Sequence, residues 1–195
     1  MRKLRSLDAK FFEDLYRKDP DPWCFGTSAY EACKYVHTIA ALGDEPVRRG
    51  LELGCAIGVL TRKLAPKCGR LVATELSRTA LEQARLRCID LTNIDFILAR
   101  RLTDGFEGMF DLIVLSEVVY YWDDGDLAEM ARAVCEHLVA GGRLVLVHWL
   151  GETDYPHSAD EAIARFAHAM RRTFGVVTAT RNDDYRLDVW KLGQD

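Results

Sequence analysis

The stretch Leu51-Glu52-Leu53-Gly54-Cys55-Ala56-Ile57-Gly58-Val59-Leu60-Thr61 constrains the fold more than any other, because an apolar strand breaks there into small residues and restarts as a helix. Small residues let the backbone turn sharply and let a ligand approach the main-chain N–H groups at the start of the next helix. A second acid, Glu75, ends the next apolar run, Leu71-Val72-Ala73-Thr74, where it would reach both hydroxyls of a ribose. A glycine-bearing turn alone is a weak signal, since any tight strand-to-helix connection uses glycine. The acid at the next strand end is what points to a nucleotide-like cofactor.

Around this stretch apolar and amphipathic segments alternate. Apolar runs fall near 49–53, 70–74, 94–98, 110–115 and 142–149, with amphipathic stretches over 80–87 and 127–134. Strand alternating with helix predicts a parallel, doubly wound sheet. Phe110-Asp111-Leu112-Ile113-Val114-Leu115 is nearly all apolar, as a strand buried on both faces must be, and is expected to be the fourth strand. Gly141-Gly142 is expected to end a helix with a left-handed cap, the next strand starting at Arg143. A helix is expected after Asp160 through Arg172, and 174–180 with 185–191 read as a terminal hairpin around Arg181-Asn182-Asp183-Asp184.

The expected fold is therefore α/β and Rossmann-like. It has a doubly wound, mostly parallel seven-stranded sheet, an antiparallel C-terminal strand and an N-terminal helical lid. With 195 residues, 49% hydrophobic and five prolines, one core is expected: a single domain over 1–195, with a helical lid (1–45), a cofactor-binding core (46–150) and a C-terminal helix and hairpin (151–195).

A formal net charge of −4 argues against a nucleic-acid surface, which needs a clustered excess of Lys and Arg. The pairs Arg48-Arg49, Arg100-Arg101 and Arg171-Arg172 read as separate solvated sites. Six cysteines without Cys-x-x-Cys spacing indicate neither a metal site nor a disulfide framework. The N-terminal residues lack an apolar signal segment and no run approaches ~20 apolar residues, so a cytoplasmic protein without a membrane partner is expected.

The turn residues resemble those of the class I S-adenosylmethionine (SAM) methyltransferases, whose first motif carries an acid and then small residues at alternate positions, as Glu52, Gly54, Ala56 and Gly58 stand here. An acid two residues before the first glycine can accept a hydrogen bond from the ammonium of a methionine moiety, whereas a dinucleotide-binding turn leaves its helix N-terminus free for pyrophosphate. Ala56 replaces a glycine of the commoner pattern, and its methyl is expected to be tolerated at a negative φ. A second resemblance is sharper. Leu15-Tyr16-Arg17-Lys18-Asp19-Pro20-Asp21-Pro22-Trp23, then Ser28-Ala29-Tyr30-Glu31 and Lys34-Tyr35, look like the leader of the NodS-type (nodulation protein S-like) N-methyltransferases. Leu115-Ser116-Glu117-Val118-Val119-Tyr120-Tyr121 does as well. The resemblance covers residues 11–150 and implies N-methylation, since those enzymes methylate the deacetylated glucosamine end of a chitin oligosaccharide. Farther on, His148-Trp149-Leu150-Gly151-Glu152-Thr153-Asp154-Tyr155-Pro156 and Tyr185-Arg186-Leu187-Asp188 look like relatives of the family found outside nodulation.

In the leader, Pro20 and Pro22 force an extended turn, and Trp23 then either covers the cofactor or a sugar face, or anchors the first helix to the core. Tyr30 and Lys34 share a helical face; one of them can touch the methionine carboxylate, or Glu31 and Lys34 form a surface ion pair. Ligands of such sheets bind at the carboxyl ends of the strands, which groups Gly54, Glu75, Arg101-Leu102, Ser116-Glu117 and His148-Trp149. Cys55 lies within the turn, while Leu76 and the segment through Leu102 are expected to flank adenine. Many relatives place an aspartate near 101; Arg101 either stacks on adenine or, the favoured reading, projects into solvent.

Methyl transfer from a sulfonium is an in-line displacement that needs a positioned, neutral nucleophile and no metal. Glu117 and His148 are the candidates to take or orient the acceptor's proton; otherwise Glu117 caps the next helix and His148 is a satisfied core histidine. Tyr120, Tyr121 and Trp122 suit a carbohydrate face, although at least one of these adjacent rings must be core, and Tyr120, Tyr121 and Trp149 are the substrate-binding candidates. Asp123, Asp124 and Asp126 draw in a cationic amine or simply start a solvated helix. The expected function is SAM-dependent N-methylation of a small-molecule acceptor, an amino sugar or glycosylated metabolite. The rivals are O-methylation, SAM binding without turnover, and a nicotinamide dehydrogenase.

Overall fold

The structure, a computed structural model, describes residues 2–170 and 173–193. Among the described residues, seven strands and six α-helices follow one another, alternating from Val47 to Leu98 and from Phe110 to Arg181, and the strands belong to a mostly parallel sheet, the α/β Rossmann-like class expected. The chain divides into two compact units, Asp8–Gly105 and Met1–Leu7 with Phe106–Asp195.

The unit Asp8–Gly105 opens with α1 (Ala9–Lys18), capped by Asp8, and α2 (Ala29–Ala41), capped by Ser28. Then follow β1 (Val47–Leu53), α3 (Val59–Leu64), β2 (Cys68–Glu75), α4 (Arg78–Arg87) and β3 (Ile94–Leu98). β2 lies between β1 and β3 and is parallel to both, so helices must carry the crossovers. Leu51, Leu71 and Ala73 are fully buried, which is why these strands read as continuous apolar runs.

The second unit contains β4 (Phe110–Ser116), α5 (Asp124–His137), β5 (Leu138–Trp149), α6 (Ala159–Ala169), β6 (Phe174–Arg181) and β7 (Tyr185–Leu192). β4 pairs parallel with β5, β7 runs antiparallel to β5, and β6 runs antiparallel to β7. Leu112 through Leu115 are wholly buried, as expected of the fourth strand. Asn182 Oδ1 accepts from the N–H groups of Asp184 and Tyr185 and closes the terminal hairpin.

Two expectations need correction. Gly141-Gly142 does not cap a helix: α5 ends at His137 with extended Leu138 as its cap, and the glycines lie inside β5. Gly141 does take φ 75°, but to loop out extra residues where the pairing jumps from Phe110–Leu138 to Leu112–Arg143. The helix expected to reach Arg172 ends at Ala169, and the pair Arg171-Arg172 lies outside the described residues. It starts at a capping box, Ser158 with Glu161, that fixes its first turn.

Candidate functional site

Within the unit Asp8–Gly105 the β1–α3 turn is the first element of the site. The N–H groups of Gly54 and Cys55 donate to the Thr74 carbonyl at 2.9 and 2.8 Å, which pins the turn to the end of β2. Gly54, Ala56 and Gly58 all have left-handed φ, at 74°, 49° and 81°. Ala56 therefore departs from the negative φ expected of it and carries a strain a glycine would not. Its N–H is spent on Glu75 Oε2 at 2.8 Å, which holds it there. A Cβ on Gly58 would come 2.8 Å from Ala84 Cα, so this glycine also sets the approach of α4.

Glu75 is buried, and its Oε1 accepts from the N–H groups of Leu76 and Ser77 at 2.8 and 2.9 Å. Burial pushes its carboxyl up, against these three N–H donors. Two oxygens offer about four lone-pair sites and these three N–H groups use three, so one site, on Oε2, is left for a ribose hydroxyl rather than the two expected. Glu52 is more exceptional. It is fully desolvated in β1, burial pushes its carboxyl up to about 7 against the pull of the nearby Thr61 hydroxyl, and its Oε2 has no hydrogen-bond partner among the described residues. A buried, unsatisfied carboxylate oxygen is costly unless a cation or donor arrives, and the ammonium of a methionine moiety fits that need.

The loop after β3 is shaped by Asp104, which accepts from the N–H groups of Arg100 and Arg101 at 2.7 and 3.1 Å. Arg101 is 81% exposed and pairs with Asp104, so it projects into solvent; Leu102 and Leu76 are half-buried. Trp23 meets Tyr16 edge-on at 5.7 Å and stacks on Phe25 at 5.4 Å. It packs with Tyr16, Ile57 and Ala80, which is the anchoring arrangement, and it shares that cluster with Ala56 of the turn. Cys55 faces a separate core cluster with Ala73, Leu81 and Ala84. Glu31 and Lys34 form an ion pair at 2.8 Å, but a buried one rather than the surface pair expected, with Lys34 Nζ 5.0 Å from the Tyr30 ring centroid.

Within the second unit, Ser116 ends β4 half-buried and Glu117 follows with φ 58°. Glu117 Oε2 accepts from Trp149 N at 2.9 Å and from the Tyr120 hydroxyl, so its side chain does not serve as a helix cap. His148 is fully buried and its Nε2 accepts from Val119 N at 3.1 Å. That lone pair is occupied, and Nε2 is not available as a base. Tyr120, Tyr121 and Trp122 are all buried, so the core takes all three rings where at least one was expected. Tyr155 stacks on Tyr120 at 5.4 Å and meets Tyr121 edge-on at 4.7 Å, covering both. Trp149, at 40% exposure, retains an accessible ring. Asp123 caps α5 and Asp124 pairs with Arg165 and His157, the roles of an ordinary helix start. Tyr155 and Glu13 were missed because their partners lie far along the chain, and Asp104 was missed although its partners Arg100 and Arg101 lie only four and three residues back.

The family model for Nodulation protein S (NodS) matches residues 10–148. Nodulation protein S of Rhizobium tropici is 36% identical over 129 residues, 64% of this chain and 53% of that protein. The chain spans about half the length of the curated relatives it matches. A solved Pseudomonas syringae structure described as a methyltransferase is 34% identical, with a TM-score of 0.74 over 84% of this chain and 99% of that one. The N-methyltransferase NodS from Bradyrhizobium japonicum, solved with S-adenosyl-l-homocysteine (SAH), shares the fold with a TM-score of 0.80 at 24% identity, covering 94% and 98%.

Proposed function

We propose, for a chain that belongs to the Nodulation protein S (NodS) family, SAM-dependent N-methylation of a small amine, an amino sugar or glycosylated metabolite, by residues 1–195 working as one domain in the cytoplasm. The observation that carries the reading is Glu52, a desolvated carboxylate with an unsatisfied oxygen in the strand that feeds a left-handed, small-residue turn. The bound cofactor supplies an electrophilic methyl on a sulfonium. Glu52 would accept from the methionine ammonium, and Glu75, kept aimed by the three N–H groups it accepts from, would take a ribose hydroxyl at its remaining lone pair. Leu76 and Leu102 flank the adenine, and Arg101 stays in solvent.

An amine reacts only as the free base, so it must arrive neutral or lose a proton on arrival. Glu117, bent out of β4 by its left-handed backbone and held by Tyr120 and Trp149 N, takes or orients that proton. His148 positions rather than abstracts, because its Nε2 is tied to Val119. The exposed ring of Trp149 offers an apolar face to a sugar.

Transfer of a labelled methyl from SAM to a panel of free amino sugars, deacetylated chitin oligomers and polyols tests this. Label on the amines alone is the expected result. Label on the polyols would establish O-methylation, and tight cofactor binding without product on any acceptor would favour a binding protein.

A further inference from the structure

Glu13, in the middle of α1, accepts from Ser77 Oγ at 2.8 Å, Thr79 N at 3.1 Å, Thr79 Oγ1 at 2.9 Å and Arg17 Nε at 2.8 Å. Four donors saturate one carboxylate. Ser77 is the N-cap of α4, so the charge sits where that helix favours an anion. Against the cost of burial these donors hold Glu13 at about 2.

The contact leads directly to the cofactor turn. The same Ser77 donates its N–H to Glu75 Oε1, and Glu75 Oε2 accepts from Ala56 N. A continuous chain of hydrogen bonds thus runs from α1 through Ser77 and Glu75 into the turn. One turn along α1 from Glu13, Tyr16 is buried against Ile57 and Ala80, with Trp23 and Ala56 packed on the same cluster.

We propose that Glu13 is a positioning residue for cofactor binding: it fastens α1 beside the turn and, through Ser77, fixes the Glu75 carboxylate before the cofactor arrives. The proposal rests on the reading of residues 54–58 as the SAM site. Without Glu13, the fraction of molecules with α1 docked and Glu75 aimed falls, and the apparent affinity falls by that fraction.

Calorimetric titration with SAH tests this on the full chain. Glu13→Ala is expected to raise Kd about tenfold, the scale of one lost charge-assisted hydrogen bond. The loss should be the same at about pH 6 and about pH 8, because Glu13 is ionised at both. Thr79→Val, which keeps its main-chain N–H, should weaken binding less and add little to Glu13→Ala. Ile163→Val, a buried substitution in α6, should lower stability and leave Kd unchanged, which a purely structural role for Glu13 would also predict of Glu13→Ala. If the wild type binds SAH and Glu13→Ala binds it equally well, the proposal is overturned and the SAM reading stands. If the wild type binds no SAH, both fall. Should Glu13→Ala not fold, wild-type affinity in Thr79→Val overturns the proposal.

Discussion

Replacing Glu52 by glutamine removes a buried charge that nothing in the described residues neutralises. The folded protein holds this carboxyl at about 7, against 4.5 for an unperturbed glutamate. At about 1.4 kcal/mol per pH unit, that gap amounts to about 3 kcal/mol. The sign follows from the direction of the shift. Below pH 4.5 both folded and unfolded forms are protonated, and the favourable contribution is fully present. As pH rises toward 7 the unfolded chain ionises first, so stability falls, and above 7 the contribution is gone. Glu52→Gln should abolish this slope and should be more stable than the wild type at about pH 8, by up to about 3 kcal/mol in urea unfolding. On the proposed reading the same substitution replaces the anionic acceptor for the cofactor ammonium by a neutral amide oxygen. Wild-type affinity for SAH should fall about tenfold per unit as the pH drops below 7, with a proton released on binding, while the variant binds weakly and without that dependence. A wild-type Kd flat between about pH 5.5 and 8, or undiminished affinity in Glu52→Gln, would refute the argument.

Three further outcomes follow from the geometry. Ala56→Gly relieves a left-handed alanine worth about 1–2 kcal/mol and returns part of it as chain entropy, so a net gain of about 0.5–1 kcal/mol is expected in denaturant unfolding; a loss would contradict the strain. Glu117→Gln should lower turnover on the amine acceptor by at least about 100-fold with SAH affinity unchanged, and near-wild-type turnover would remove Glu117 from the chemistry. Arg101→Ala should change SAM affinity less than about twofold, because the side chain is 81% exposed; a tenfold loss would restore stacking on adenine.

The parts of the molecule that were legible in the sequence are those set by local chemistry. β4 is a run of apolar residues because both its faces are covered, and the turn from Gly54 to Gly58 is small because three of its residues are left-handed. What the sequence concealed depends on distant partners or on backbone sign. Ala56 does not announce the sign of its φ, and the positive value it takes goes with bonds to β2, Gly54 N and Cys55 N to Thr74 O and Ala56 N to Glu75, 19 residues on. Tyr120 and Tyr121 look like a sugar platform until Tyr155 arrives from the β5–α6 loop and covers them. Glycine at 141 wants positive φ equally in a helix cap and in a strand irregularity, so Gly141-Gly142 could not distinguish the two. Glu13 carries no local signature, because its partners on Ser77 and Thr79 lie 64 and 66 residues away.

The central claim is that the turn behind Glu52 takes SAM rather than a dinucleotide, and parallel calorimetric titrations of the wild type with SAH and with NAD test it most directly. One saturable SAH site, weakened in Glu52→Gln, and no heat from NAD are expected. Saturable NAD binding with none for SAH would contradict it.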